Sequence, residues 1–360
     1  MSDHLFFVGT YSQRGSKGIY AVRLASETGA MTIIGDTSAN NASFLCLSPD
    51  GKYLYAASET GERPDGKRGG ALLSYAVQGS NLKQLSEQPV EGQYTCHVAC
   101  SPNGRWLVAS NYGDGTHVVV PVGANGMLGK PTDIVANSGS PGPGQSGGHA
   151  HSATFSVDGA FVYGCDLGLD RICVYRLDDA SGKLIPASAT VLPPGAGPRH
   201  FALHPKLATA YVINELNSTV TMFTRNPSTG ALTAEQTTET LPRAAEVERR
   251  AGRLKNSCAD IHVSPDGKTL YGSNRGHDSL AVFAVNERTG KLTATGHVPT
   301  GGKNPRNFGL VPKTALLLAA NMDGDNVLSF KRGGDKAGEV PTPTGATLAI
   351  PAPVCVLPVP

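Results

Sequence analysis

Apolar and polar residues alternate along most of this chain in short runs, punctuated by Gly, Pro, Asn and Asp. Alternation with a period of two, bounded by turn formers, predicts half-buried strands. One phrase recurs six times, beginning at Leu47, Cys100, Phe155, Leu203, Val263 and Leu310. Each copy reads as an apolar strand, a tight turn, a second apolar strand and a closing polar residue. In the fifth copy residues 259–264 form the first strand, 265–268 (Pro-Asp-Gly-Lys) the turn and 269–274 the second strand. Pro, Asp and Gly supply the dihedral angles of such turns.

A third strand and a Gly-containing turn follow each copy, and this later unit occurs seven times, starting near Gly18, Leu72, His117, Ile172, Thr219, Ser279 and Asn326. Seven later units against six earlier ones leave one blade incomplete. Residues 5–11 supply its second strand, and residues 353–357 are the candidate for its first. A repeat of roughly 50 residues that cannot bury its own apolar faces signals a propeller or solenoid. The reading is an all-β, seven-bladed β-propeller of four-stranded antiparallel blades, closed by both termini, with residues 1–360 as a single domain.

Composition narrows the function classes. The chain has 360 residues and a net charge of +2, which does not point to wholesale attraction to nucleic acid or an anionic membrane, so anion recognition is expected to be local. No apolar run approaches the roughly 18 residues that span a bilayer. The N-terminus lacks the basic segment of a secretory signal, and the seven cysteines are scattered without a Cys-x-x-Cys pair. These features predict a cytoplasmic protein with reduced thiols. A closed ring has no free sheet edge to pair, which predicts a monomer.

Register within the repeat locates candidate chemistry. Antiparallel pairing places the start of each first strand and the end of each second strand at one end of the blade. If no bulge interrupts the pairing, the first position reads Ser43, Cys96, His151, Arg199, Ala259 and Arg306 around the axis. The second reads Ser58-Glu59, Asn111-Tyr112, Asp166-Leu167, Asn214-Glu215, Asn274-Arg275 and Asn321-Met322. Arg199, Arg275 and Arg306 suit carboxylate or phosphate oxygens. Either Glu215 or His151 suits proton acceptance from water, and Asp166 suits orienting His151 or binding sugar hydroxyls. An arginine also suits the charge that grows on a carbonyl oxygen under attack.

Several phrases then carry a resemblance: Gly-His-Ala-His-Ser from Gly148, Asp-Leu-Gly-Leu-Asp-Arg-Ile from Asp166, Gly-Pro-Arg-His-Phe from Gly197, Asn-Glu-Leu-Asn-Ser from Asn214, Ser-Asn-Arg-Gly-His from Ser273 and Pro-Arg-Asn-Phe from Pro305. With these the chain resembles, over essentially its whole length, the seven-bladed lactonase family, which includes 6-phosphogluconolactonases and carboxy-muconate cyclases. Through its cyclase branch the resemblance implies an active-site set of one His, two Arg and one Glu, falling on His149 or His151, Arg199, Arg275 and Glu215. Spacing selects the last three independently and favours His151 over His149. His149, Asp166, Arg306, Asn274 and Asn321 are the expected substrate-binding set.

The leading expectation is metal-independent hydrolysis of a sugar lactone, foremost 6-phospho-D-glucono-1,5-lactone, with a small-molecule substrate and no cofactor. The alternative is a lactonising isomerase of muconate type; a non-enzymatic interaction platform ranks below both. His149 and His151 lack a third ligand nearby, so no metal site is expected. The asparagines at the ends of the second strands suit either an axial calcium or backbone groups where the chain turns away, the latter being preferred. Residues 243–255 replace a simple loop with a basic stretch that predicts a short helix on the site face, either as solvated surface or as a phosphate-attracting lid.

Overall fold

The computed structural model describes residues 3–63, 66–334 and 336–360. Part of the N-terminal reading (residues 1 and 2) and residue 335 of the last outer turn lie outside the described residues. Seven four-stranded antiparallel sheets succeed one another, and in six of them the strands follow chain order. The seventh sheet pairs Pro353–Pro358 with His4–Thr10, followed by Gly18–Leu24 and Met31–Ser38, so both termini build the closure blade as the repeat count predicts.

Local chemistry explains the turns. In four copies a serine before the turn donates its hydroxyl to the turn's Asp or Asn and accepts a backbone N–H from the returning strand. Ser48 to Asp50 is 2.6 Å, with Tyr53 N–H returning at 3.0 Å; Ser101, Ser156 and Ser264 repeat the arrangement. Gly51 and Gly267 sit at φ of +70° and +83°, which side chains with a Cβ rarely adopt. The fourth copy lacks Asp-Gly, and His204 substitutes: its Nδ1 accepts the N–H groups of Lys206 and Leu207 at 3.1 and 3.0 Å.

The core is not one mass. Each of the seven blade–blade interfaces holds its own buried apolar cluster, such as Phe6, Val8, Leu318 and Val356 between the closure blade and its preceding neighbour. The ring therefore gains burial only when every neighbour is present.

Uninterrupted pairing between the two innermost strands is the expectation from the repeat, and the structure corrects it. Every blade has a bulge there, at Ala42/Phe44, Thr95/His97, Ala150/Ser152, Pro198/His200, Cys258/Ile261, Pro305/Asn307 and at Gly9/Thr10 opposite the closing strand. The unpaired residues are Ser43, Cys96, His151, Arg199, the Ala259-Asp260 pair, Arg306 and Val354. The ring of positions chosen from spacing is thus a ring of bulges, and a bulge re-aims its side chain.

Removal of residues 353–360 tests closure. It strips Cys355 and Val356 from two clusters and leaves the strand His4–Thr10 with an unpaired edge. At roughly 1.5–3 kcal/mol per buried aliphatic side chain, plus the exposed edge, the cooperative thermal transition should be lost or the protein should aggregate. An unchanged melting profile by circular dichroism would refute the role of the closing strand.

Candidate active site

The bulges bring consecutive side chains to the axis. Ser43 and Phe44, Arg199 and His200, and Arg306 and Asn307 line one small void of about 10 Å3, together with Cys96, His151 and Val354. That is about the space of one water molecule. At this level the ring residues close the channel. On one side lies the Arg–Glu–His constellation; on the other, a separate cavity of about 300 Å3 is lined by Phe44, His97, His200, Asp260 and His262 among others.

Glu215 organises the first side. It follows the strand Thr209–Asn214, and its two carboxylate oxygens face different guanidinium groups: Oε2 is 2.8 Å from Arg199 Nε, and Oε1 is 2.8 Å from Arg275 Nη2. Arg199 is anchored further by donating Nη1–H to the carbonyl of Ala259. Arg275 donates to the carbonyls of Ser257 and Cys258 at 3.2 and 3.0 Å. Across the axis Arg306 lies 3.5 Å from Glu59, its guanidinium carbon 5.3 Å from the centre of the Tyr11 ring, and Tyr11 donates its hydroxyl to Glu59 at 2.8 Å. Three guanidinium groups against two carboxylates leave this mouth with a net positive charge. Arg199 is 2% exposed, whereas Arg275, Glu215 and Arg306 lie between 13% and 18%, within reach of an entering ligand.

These surroundings set the protonation states. Burial alone would raise the Glu215 carboxyl, but Arg275 and Arg199 hold it below its ordinary value, so it is a carboxylate at neutral pH. His151 is pushed well below 6.5, by burial first and then by Arg199 and other nearby cations, and is a neutral imidazole. Burial and Arg275 lower Arg199 to about 10, still protonated at neutral pH. Burial drives the Cys96 thiol up to about 12, so it is un-ionised.

Below the ring Asp260 fixes the geometry. It accepts His200 Nδ1–H at 2.8 Å, Asn307 Nδ2–H at 2.6 Å and the N–H groups of Ile261 and Phe308 at 3.0 and 3.2 Å, and lies 3.0 Å from His262 Nε2. Holding the proton on Nδ1 leaves His200 Nε2 as the acceptor facing Arg199 Nη1 at 3.3 Å. Asp260 thereby positions Arg199 through His200.

The structure brings His151, Arg199, Glu215, Arg275 and Arg306 together, as spacing predicts. His149 stands beside them, stacked on Tyr112 at 4.5 Å with Nδ1 bonded to the Tyr112 carbonyl at 2.8 Å. Asp166, Asn274 and Asn321 are corrections, because their fully buried side chains are engaged by the scaffold. Asp166 accepts the N–H groups of His149 and Leu169 and the Asn137 amide at 2.8, 3.0 and 2.8 Å, and does not orient His151. Asn274 donates to the carbonyl of Thr240 and Asn321 to that of Thr300, each at 2.9 Å, tying the end of a second strand to the incoming loop. Sequence reasoning passed over Tyr11, His200 and Asp260. Tyr11 follows the second strand of the closure blade, where the register rule would have found it; His200 and Asp260 are hidden by simple alternation and revealed by the bulges. Among the described residues no three His, Cys, Asp or Glu are arranged to hold a metal ion.

A seven-bladed propeller with an axial mouth of paired guanidinium and carboxylate groups defines a class built to receive an anionic or carbonyl-bearing small molecule. The chain belongs to the family described as "Lactonase, 7-bladed beta-propeller", matched over residues 5–358. It is 33% identical to a 6-phosphogluconolactonase of Bacillus subtilis, over 99% of this chain and 98% of that protein. It is 32% identical to a 6-phosphogluconolactonase of Formosa agariphila, over 91% and 92% of the two chains. The solved structure of a periplasmic gluconolactonase from Pseudomonas aeruginosa superposes with a TM-score of 0.90 at 28% identity, covering 100% of this chain and 99% of that one.

Buried histidines make stability depend on pH. His97 and His151 are pushed well below 6.5, and His117 and His200 to about 4, with burial the leading cause throughout. Between pH 6.5 and 4 the unfolded chain binds more protons than the folded one, so stability falls as pH falls. His262 has the opposite sign, since burial alone would lower it but Asp260 carries it above 6.5; near pH 5 it is protonated in both states and does not offset the others. Denaturant unfolding near pH 5 should show a net uptake of protons, each costing about 1.4 kcal/mol per pH unit as the pH falls. Stability that is flat from pH 7 to 5 would contradict these protonation states.

Proposed function

We propose that the axial ring opens a sugar lactone by attack of water, with 6-phospho-D-glucono-1,5-lactone as the foremost substrate. His151 is the proton acceptor in this reading. The observation that carries the assignment is the difference in how the two candidate bases are engaged. Both oxygens of Glu215 face guanidinium groups at 2.8 Å, whereas His151 lines the water-sized void, is neutral, and has no protein hydrogen-bond partner for Nε2 among the described residues.

The lactone carbonyl carbon is attacked by a water whose proton passes to His151, forming a tetrahedral oxyanion. Arg306 faces this site beside His151; a guanidinium carries five N–H donors, and Glu59 occupies only part of that set. Its donors meet the oxyanion charge as it grows. The ring carbon–oxygen bond then breaks, the proton from His151 goes to the departing oxygen, and the product is a hydroxy acid. Glu215 holds Arg199 and Arg275 in place and stays ionised throughout. The low basicity of His151 in the empty site rises when an anionic substrate offsets the neighbouring cations.

Hydrolysis of freshly generated 6-phosphogluconolactone, with the spontaneous rate subtracted, tests this. His151→Gln keeps the volume and a hydrogen-bonding group but removes the base, so kcat should fall by about 10²–10⁴ with the fold intact. Glu215→Gln should instead destabilise the protein by roughly 3–5 kcal/mol as well as lower activity, because two guanidinium groups lose their partner. A His151→Gln enzyme within threefold of wild type would remove His151 from the mechanism.

A further inference from the structure

The ring's cations are already partnered. Arg199 and Arg275 share Glu215, and Arg306 faces Glu59 and the Tyr11 ring. A substrate phosphate carries close to two negative charges near pH 7, and in a 1,5-lactone it hangs from C6 beside the ring oxygen, a few bonds from the reacting carbonyl. Its second charge asks for cations beside the axial ring that are not already paired with carboxylates.

A cleft of about 690 Å3 meets that requirement. It opens between the helix Arg243–Arg250 with its following loop and the turns that end the fifth and sixth inner strand pairs, and Arg275 lies in its wall. The size is that of a small-ligand site. Arg249, Lys255, Arg275 and Lys303 line it, against Asp278 and Asp323. Most of these charges are committed. Arg249 is paired with the buried Glu246 at 2.7 Å, and Asp323 with Arg14 at 3.4 Å. Asp278 Oδ1 accepts the N–H groups of Gly276 and Asn304 at 3.1 and 2.8 Å. Lys255 and Lys303 differ: among the described residues neither ammonium group has a carboxylate within 4.0 Å. Two uncommitted cations thus flank a cleft whose wall includes a member of the catalytic ring.

We infer that this cleft is the phosphate subsite, with Lys255 and Lys303 as the residues that make the protein prefer a phosphorylated lactone over an unphosphorylated one. The inference rests on the lactonase reading of the ring and adds the determinant of substrate choice. The helix contributes as a wall: Glu246 gathers Arg249 at 2.7 Å and Arg250 at 2.7 Å, which fixes the helix end and the loop that carries Lys255.

Two measurements on the full chain separate this claim from the one it rests on. The first is the ratio of kcat/KM for 6-phosphogluconolactone to that for glucono-1,5-lactone in wild type, Lys255→Ala/Lys303→Ala and Lys255→Arg/Lys303→Arg. The Ala pair should lower the ratio at least tenfold, mainly through KM for the phosphorylated ester, and the Arg pair should restore most of it. The second is calorimetric binding of 6-phosphogluconate against gluconate, which needs no turnover. Wild type should prefer the phosphorylated acid by tenfold or more, and the Ala pair should lose that preference. An unchanged ratio and unchanged preference, or an equal loss for both ligands, overturns the subsite. If wild type hydrolyses neither lactone, the lactonase reading fails, and the binding preference alone still decides the cleft.

Discussion

An unpaired residue at the start of each innermost strand is the constraint on which the site depends. Strict alternation would send every second side chain of that strand away from the axis. The bulge breaks the alternation once per blade, so two consecutive side chains turn inward at different depths, as Arg199 and His200 do. Repeated around the ring, this closes the channel at one level and divides it into a mouth and a histidine-lined compartment below. A barrier of that kind leaves a ligand in the mouth one direction of entry and a water-sized space beside His151.

Charges buried so deeply persist only because each is paired. Arg199 at 2% exposure would be untenable without Glu215, the Ala259 carbonyl and His200. Asp260 in turn would be untenable without its five partners in the lower compartment. The lower compartment thus serves as the support of the upper one: it fixes the tautomer of His200, and through it the angle at which Arg199 meets Glu215. Substitutions there act on the mouth indirectly, by loosening the guanidinium group that His200 faces.

The architecture was legible because a propeller writes its fold as a repeat. Seven later units against six earlier ones gave the blade number, and the excess unit located the closure strand at residues 353–357. The candidate site was legible where the copies depart from one another, since a channel-facing Arg199 in a slot held elsewhere by Ser43 or Cys96 has no packing reason to be there. What escaped was geometry below the level of the pattern. A bulge costs one residue of register and leaves no composition signal, so His200 and Asp260 read as strand interior. Asp166, Asn274 and Asn321 failed in the other direction. They occupy the polar slot that faces the site by count, but their side chains are fully buried and tie the end of the second strand to the incoming strand or loop.

The central claim is that the bulge ring receives the reacting carbonyl, and a crystal structure with 6-phosphogluconate bound tests it most directly. The account predicts the new carboxylate beside His151 and Arg306, and the sugar chain running past Arg275 on the helix side. A carboxylate found in the lower compartment against His97 and His262, or on the outer faces of the blades, would contradict it.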